Sequence, residues 1–177
     1  MFRKIFFAIV LTTLVVGCQK QAQFEKENPG SKGQPPELLG SYAAKEIRPG
    51  ETWNIYLKAK DVDGDMKYIV AVLSMEGEGS YPTSEIWLKG EKRSEFDGYI
   101  FLHTPADDTL VAEMDTLKVS IFIRDWAGNK SQTVKLPLSF EPGRVTEKVP
   151  AQWQQAAEEQ LGYINNTILS IEDAEIQ

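Results

Sequence analysis

The sequence predicts an all-β protein, an antiparallel β-sandwich of about seven strands followed by a C-terminal amphipathic helix. Between about Tyr42 and Phe140, apolar and polar residues alternate with a period of two over several short segments. Glycine, aspartate and proline turns separate these segments, and no helical patterns lie between them, so a parallel sheet is not expected. After Pro150 the apolar spacing becomes helical, which predicts the terminal helix.

Residues 1–17 have the layout of a secretory signal peptide. Arg3 and Lys4 form a short basic start, and an apolar run from Ile5 to Val16 follows. The run is well short of the roughly 20 residues that a membrane-spanning helix needs. We therefore expect these residues to be removed from the mature protein.

The segment Leu14-Val15-Val16-Gly17-Cys18 resembles the lipobox of bacterial lipoproteins. The resemblance implies that the Cys18 thiol is acylated, with palmitate among the acyl chains, and that cleavage occurs before it. Because Gln19 and not Asp follows, the resemblance also implies transfer to the outer membrane. Several acyl chains, at ~0.8 kcal/mol per buried CH₂, would hold the protein durably on the lipid bilayer. The alternative is an ordinary signal peptide followed by a coincidental cysteine.

The region between the cysteine and the first strand is predicted to be a flexible tether. It is polar and is interrupted by proline and glycine, with no apolar periodicity. The predicted domains are therefore the signal peptide, the lipidated cysteine and tether, the sandwich, and the linker with its helix, at residues 1–17, 18–39, 40–142 and 143–177.

Seven segments account for the predicted strands. The clearest alternation runs through Trp53–Lys60, Leu117–Arg124 and Val134–Phe140. The remaining segments are Ala43–Ile47, Tyr68–Met75, Glu85–Leu88 and Tyr99–Leu102.

Two turns resemble those of bacterial immunoglobulin-like domains. The stretch from Ser120 to Ser131 is similar to their last two strands, which carry an Asp-x-Ala-Gly-Asn-x-Ser turn. The stretch Lys58–Asp65 is similar to the Asp-rich turn between their second and third strands. The resemblance implies an immunoglobulin-like sandwich in which both turns lie at the same end. It indicates little about function, because this fold serves many tasks.

If the two turns meet, their oxygen-bearing side chains form a candidate Ca²⁺ site, because calcium takes six to eight oxygen ligands. The candidate ligands are Asp61, Asp63, Asp65, Asp125 and Asn129. The simpler alternative is that these residues only build tight turns, since Asp-Gly and Gly-Asn are usual turn sequences. A further polar contact is a third alternative. No cofactor is required by the sequence.

Two features are candidates for partner binding. Trp126 lies at the tip of the last turn, where it either docks a partner or a sugar or folds back on its own domain. The terminal helix presents an apolar stripe that includes Trp153, Leu161, Ile164 and Ile168. This stripe either covers the third strand, which is apolar on both faces, or engages another chain.

Charge and residue inventory limit the function. The net charge is −7, and loss of Arg3 and Lys4 makes the mature chain more acidic, which argues against nucleic-acid binding. His103 is the only histidine, and no nucleophile is paired with a base, so an enzyme is not expected. The sequence favours a lipid-anchored envelope protein that binds or scaffolds an envelope protein partner. The alternative is a calcium-assisted, lectin-like carbohydrate-binding module.

Overall fold

The computed structural model describes residues 33–75, 79–106, 117–143 and 148–165. The signal peptide, Cys18 and Ile168 lie outside these residues, so the predictions made for them remain predictions. Within the described part of the chain, no helix has both the length and the apolar character needed to cross a membrane.

In the described ranges, ten strands form two sheets. The first sheet has the order β1-β3-β7-β10, and the second has the order β2-β9-β8-β4-β5, with β6 also paired to β4. The strands are β1 (Glu37–Ala43), β2 (Glu46–Ile47), β3 (Thr52–Lys60), β4 (Met66–Met75), β5 (Gly79–Ser80), β6 (Ser84–Trp87), β7 (Glu95–His103), β8 (Leu117–Asp125), β9 (Val134–Phe140) and β10 (Gln160–Tyr163).

The connectivity is that of an immunoglobulin-like sandwich. The first, third and seventh strands lie together in one sheet, and β8 lies between β4 and β9 in the other. The chain changes sheets between β1 and β2, which pairs in parallel with β9. The predicted all-β, immunoglobulin-like sandwich is confirmed, although β2–β9 and β7–β10 pair in parallel, and each of the seven predicted segments overlaps a strand.

Alternating side chains from both sheets form the core. In β3 the inward-facing residues are fully buried, and the same is true along β8. These residues are Trp53, Ile55, Leu57 and Ala59 in β3, and Leu117, Val119, Ile121 and Ile123 in β8. Apolar burial of this extent supplies the main driving force for folding.

The tether predicted over residues 18–39 extends too far. Strand β1 begins at Glu37, and Leu38 is buried in the core. Glu37 lies opposite Lys60 in the antiparallel ladder with β3, and their side chains form an ion pair. The ladder thus orders three residues that composition alone assigns to the tether, so the domain starts before residue 40.

The predicted C-terminal helix is wrong for the described residues. Ala151–Trp153 and Ala156–Glu158 form single 3₁₀ turns, and the chain then enters β10. Strand β10 pairs in parallel with the edge of β7. Backbone hydrogen bonds to the edge of β7 replace the hydrogen bonds that a helix would have formed. Buried N–H and C=O groups, and those at a sheet edge, need such partners.

The described part of the C-terminal segment, residues 148–165, packs against its own domain. Trp153 packs on the outer face of the first sheet, where its ring lies 6.3 Å from Tyr42 and 6.4 Å from Tyr56. Ile164 belongs instead to the core between the sheets. In the described part of this segment, the anchoring side chain Trp153 lies on β1 and β3 and not on β4. The rest of the segment, after residue 165, lies outside the described residues.

Candidate functional site

Two turns meet at one end of the sandwich, as the resemblance implied. One turn follows β3 and contains Asp61 and Asp65, and the other follows β8. Met66 lies opposite Asp125 in the ladder between β4 and β8, which fixes the two turns side by side. The backbone N–H of Trp126 also donates a hydrogen bond to the carbonyl of Asp65 at 3.1 Å.

Three carboxylates converge between these turns. Asp61, Asp65 and Asp125 each offer an oxygen, and these oxygens all lie within 4.8 Å of one another. Asp61 is 7% exposed and Asp125 is 2% exposed, whereas Asp65 is partly exposed. These three residues are called the acidic cluster below.

The hydrogen bonds of the acidic cluster are incomplete. Asp125 accepts two bonds of 2.7 Å from the backbone and side-chain amides of Asn129. Asp61 accepts one bond of 3.0 Å, through Oδ1, from the backbone N–H of Asp63. Oδ2 of Asp61 and Oδ1 of Asp65 are buried and have no hydrogen-bond partner. Among the described residues, no Lys or Arg forms an ion pair with the cluster.

Two of the five predicted calcium ligands do not join the cluster. The Asp63 side chain is exposed and accepts a hydrogen bond from the backbone N–H of Gln34. Asn129 turns its side-chain nitrogen toward Asp125 and therefore acts as a donor. The turn chemistry is present as well, because Gly64 and Gly128 have φ values of +69° and +91°. The predicted set of five thus reduces to three carboxylates.

Burial and the crowded carboxylates of the acidic cluster raise the pKa of one member, Asp65. Burial, then the negative charge of Asp125, then a hydrogen bond that the protonated group shares with Asp61, and last the charges of Asp61 and Asp63 raise the pKa of Asp65 to about 6. Each of these effects disfavours the charged form of the group. A cation between the carboxylates would act in the opposite direction.

Trp126 lies beside the acidic cluster and keeps 53% of its surface exposed. Its ring lies 6.0 Å from that of Trp87, which is 50% exposed. The ammonium of Lys67 lies 4.6 Å from the Trp126 ring centre, and the Arg93 guanidinium lies 5.7 Å from it. Sequence reasoning missed Trp87, although a tryptophan at an outward position of β6 was a signal that could have found it.

A second group of cations and rings continues this surface across β8. The ammonium of Lys130 lies 3.9 Å from the centre of the Phe122 ring, and Arg124 lies 5.9 Å from it. Arg124 is opposite Tyr68 in the β4–β8 ladder, and Tyr68 packs edge-on against Trp87. The combined surface, called the cationic–aromatic face, comprises Lys67, Tyr68, Trp87, Arg93, Phe122, Arg124, Trp126 and Lys130. None of its four cations forms an ion pair with a described carboxylate.

Three of the partner-binding residues predicted in the C-terminal segment lie in the described part of the chain, and they pack against their own domain. Trp153 and Ile164 are 6% and 3% exposed and are buried against their own domain. Leu161 is half-buried and packs against the core. Of the predicted partner-binding residues that the structure describes, Trp126 has the exposure that binding requires.

No family model matches this chain, and no curated protein matches it. Solved structures resemble its fold. The PKD domain of an M14-like peptidase from a Thermoplasmatales archaeon is 15% identical, with 62% of this chain and 98% of that chain covered and a TM-score of 0.39. The CARDB domain of a Pyrococcus furiosus protein, solved in complex with di-metal ions, is 10% identical, with 65% and 97% covered and a TM-score of 0.34.

A third similar structure is the human complex between zinc 2-glycoprotein and prolactin inducible protein. It is 11% identical, with 59% of this chain and 97% of that chain covered and a TM-score of 0.32. All three TM-scores are below 0.5, so these similarities carry no argument about function.

Proposed function

We propose that this chain is a lipid-anchored, non-enzymatic binding protein of the bacterial cell envelope. Its partner is an envelope protein that presents an acidic surface to the cationic–aromatic face. The observation that carries the proposal is the composition of this face. Lys67 and Arg93 lie over the half-exposed Trp126 ring, and Arg124 and Lys130 lie over Phe122 on the same face. None of these four cations has an ionic partner among the described residues.

The face differs in charge from the chain as a whole. Acidic residues outnumber basic ones by 26 to 19, yet four basic side chains gather on this one surface. A localised charge of one sign steers a partner of the opposite sign and suppresses wrong partners. Tryptophan and arginine are also the residues most enriched at the energetic centres of protein interfaces. Both arguments favour an acidic protein partner.

The anchor is supported by the sequence. The signal peptide and the segment Leu14–Cys18 have the arrangement expected of a lipoprotein precursor. Acyl chains on Cys18 would hold the acidic domain at a bilayer whose anionic head groups would otherwise repel it. The proposed location is the outer membrane.

Carbohydrate binding is a second candidate, and the pair of indoles favours it. Trp87 and Trp126 lie 6.0 Å apart, and both are about half exposed. Such rings offer apolar surfaces on which the C–H face of a sugar packs.

Crosslinking of the full-length protein in its own envelope tests the protein-binding proposal. We expect one discrete crosslinked protein, lost when Arg124→Glu and Lys130→Glu are combined, because reversed charges repel an acidic surface. The complex should also weaken as salt is raised from about 0.05 to 0.5 M, since exposed charge interactions are screened.

Lys148→Glu is the matched control. Lys148 is exposed and precedes Val149, which packs with Tyr56 on the outer face of the first sheet, so its charge reversal should leave the crosslink intact. A crosslink that survives the double reversal, or is lost equally in the control, would contradict the proposal. Binding to envelope glycans that Trp87→Ala and Trp126→Ala abolish would support the second candidate instead.

A further inference from the structure

We infer that the acidic cluster of Asp61, Asp65 and Asp125 is a divalent-cation site that takes Ca²⁺. The inference stands independently of the partner proposed above. It rests on the geometry of the three carboxylates and on the oxygens that the fold buries without partners.

The spacing of the carboxylates suits calcium. Ca²⁺–O distances of 2.3–2.6 Å place oxygens on opposite sides of the ion about 5 Å apart. The three cluster oxygens all lie within 4.8 Å of one another, so a single ion can contact all three. Carboxylates bind Ca²⁺ through one or both oxygens, and water completes a shell of six to eight ligands.

The buried, unpartnered oxygens point to a ligand. Asp61 is 93% buried, since its exposure is 7%, and its Oδ2 accepts no hydrogen bond. Oδ1 of Asp65 is buried and unpartnered in the same cluster. Buried polar atoms in native structures nearly always have partners, and a bound ion is one explanation for an exception.

Turn formation alone does not account for these oxygens. The turn after β8 is held by Asn129, which donates two hydrogen bonds to Asp125. The turn after β3 uses Oδ1 of Asp61, which accepts from the backbone of Asp63. Neither turn uses Oδ2 of Asp61 or Oδ1 of Asp65, so both atoms remain available to an ion.

A cation at this position would join two turns that are distant in sequence. Asp61 and Asp65 come from the turn after β3, and Asp125 ends β8. Trp126 follows Asp125 directly, and its backbone N–H donates a hydrogen bond to the carbonyl of Asp65. Calcium would therefore stiffen the base of the loop that presents Trp126.

Thermal unfolding of the full-length protein in detergent tests the inference. After treatment with EDTA, addition of about 1–10 mM CaCl₂ should raise Tm by about 5 °C, because a ligand that binds only the folded state stabilises it. Tb³⁺ should bind in place of Ca²⁺ and show luminescence sensitised by Trp126, and excess Ca²⁺ should remove that signal.

Two substitutions in the same turn distinguish calcium binding by the acidic cluster from a general effect of charge in that turn. Asp65→Asn should abolish the calcium-dependent rise in Tm, and because it removes a crowded charge it should fold at least as stably in EDTA. Asp63→Asn changes an exposed carboxylate of the same turn that is outside the cluster, so the rise should persist.

Three results would overturn the inference. One is an unchanged Tm and no terbium signal at 10 mM CaCl₂. Another is equal loss of the calcium effect in Asp63→Asn and Asp65→Asn, which would assign it to the general charge of the turn. A larger shift with MgCl₂ than with CaCl₂ would overturn the choice of calcium.

Discussion

At the scale of single residues, the protein keeps a carboxyl group where its charge is unfavourable. Burial and three neighbouring aspartates raise the pKa of Asp65 to about 6. No described cation offsets this effect, although four basic residues lie on the adjoining face. Such perturbed groups are more often found at functional sites than elsewhere.

The raised pKa of Asp65 predicts how the metal-free protein responds to pH. Between its ordinary value of 3.8 and about 6, the folded state binds more protons at Asp65 than the unfolded state does. The free energy of unfolding contributed by this group should therefore be largest near pH 4 and fall as the pH rises through about 6. Urea unfolding in EDTA across pH 4–7 measures this contribution.

Asp65→Asn is the control for the pH dependence, because an amide does not titrate in this range. The difference in urea midpoint between the two proteins should grow with pH. A difference that stays constant from pH 4 to 7 would contradict the raised pKa.

We expect alanine substitution of two tryptophans to have opposite effects on stability and on partner binding. Trp153 is 6% exposed among Tyr42 and Tyr56, so Trp153→Ala should cost about 3 kcal/mol of unfolding free energy. Trp126 is half exposed, so Trp126→Ala should cost less than about 1 kcal/mol but weaken partner binding. Equal destabilisation in urea, or binding unaffected in Trp126→Ala, would contradict these assignments.

The sequence revealed some members of the sites and hid others. Asp61, Asp65 and Asp125 could be predicted because their turns have recognisable compositions. The cationic–aromatic face could not be, because it depends on register. Arg124 and Tyr68 are 56 positions apart, and the ladder of β4 and β8 alone makes them neighbours.

At the scale of secondary-structure elements, the C-terminal segment shows how periodicity misleads. Trp153, Leu161 and Ile164 fall at helical spacing, yet they serve different environments. Trp153 lies on the outer face of the first sheet, whereas Ile164 enters the core between the sheets. The apolar stripe of a single helix faces one surface, so a helix could not place Trp153 on the outer face of the sheet and Ile164 in the core. The segment forms strand β10 and not a helix because the edge of β7 is open to pairing, and a local sequence pattern cannot reveal that edge.

The strands of the sandwich were predictable because their environment is simpler. In β8, every second residue from Leu117 to Ile123 faces one core, and the period of two therefore appears in the sequence. β10 is short and its described residues are partly or fully exposed, so no such pattern exists there.

Gly98 predicts how β10 docks on β7. A Cβ atom on Gly98 would lie 2.6 Å from the carbonyl oxygen of Glu159 and 2.8 Å from Leu161 Cγ. Gly98→Ala should therefore displace β10 and cost about 1–3 kcal/mol of unfolding free energy. Hydrogen exchange at the Ile164 amide, which donates to Phe101, should accelerate.

Gly143→Ala is a matched control for Gly98→Ala. A Cβ atom on Gly143 would meet no atom within 4 Å, so this substitution should leave the unfolding free energy nearly unchanged. Similar exchange rates at Ile164 in Gly98→Ala and the unmodified protein would show that β10 tolerates the added methyl group.

At the scale of the whole molecule, the fold class followed from sequence while the function did not. Short strands and turn residues are properties of a local stretch, and about seven of them indicate a sandwich. A sandwich supports many tasks, so its function depends on the surface that its register assembles. The surface that we propose for binding is the cationic–aromatic face beside the acidic cluster.

Cys18 predicts where the molecule resides. Cys18→Ala should abolish incorporation of radiolabelled palmitate and release the protein from the membrane fraction, because acyl chains supply the proposed anchor. Thermal unfolding of the released domain should be unchanged, since Cys18 precedes the described sandwich. Continued membrane association without label would contradict lipid anchoring.

The hydrogen bond between Gln34 and Asp63 has a consequence for orientation. The chain enters the domain beside the turn after β3, so the segment that follows the proposed lipid on Cys18 is attached to the end of the sandwich that carries the two turns. Sixteen residues at full extension reach about 55 Å. Under the lipid anchoring proposed above, this attachment would keep the end of the sandwich that carries Trp126 and the acidic cluster nearer to the bilayer than the opposite end. A partner embedded in the same membrane would meet them before one that arrives from the aqueous compartment.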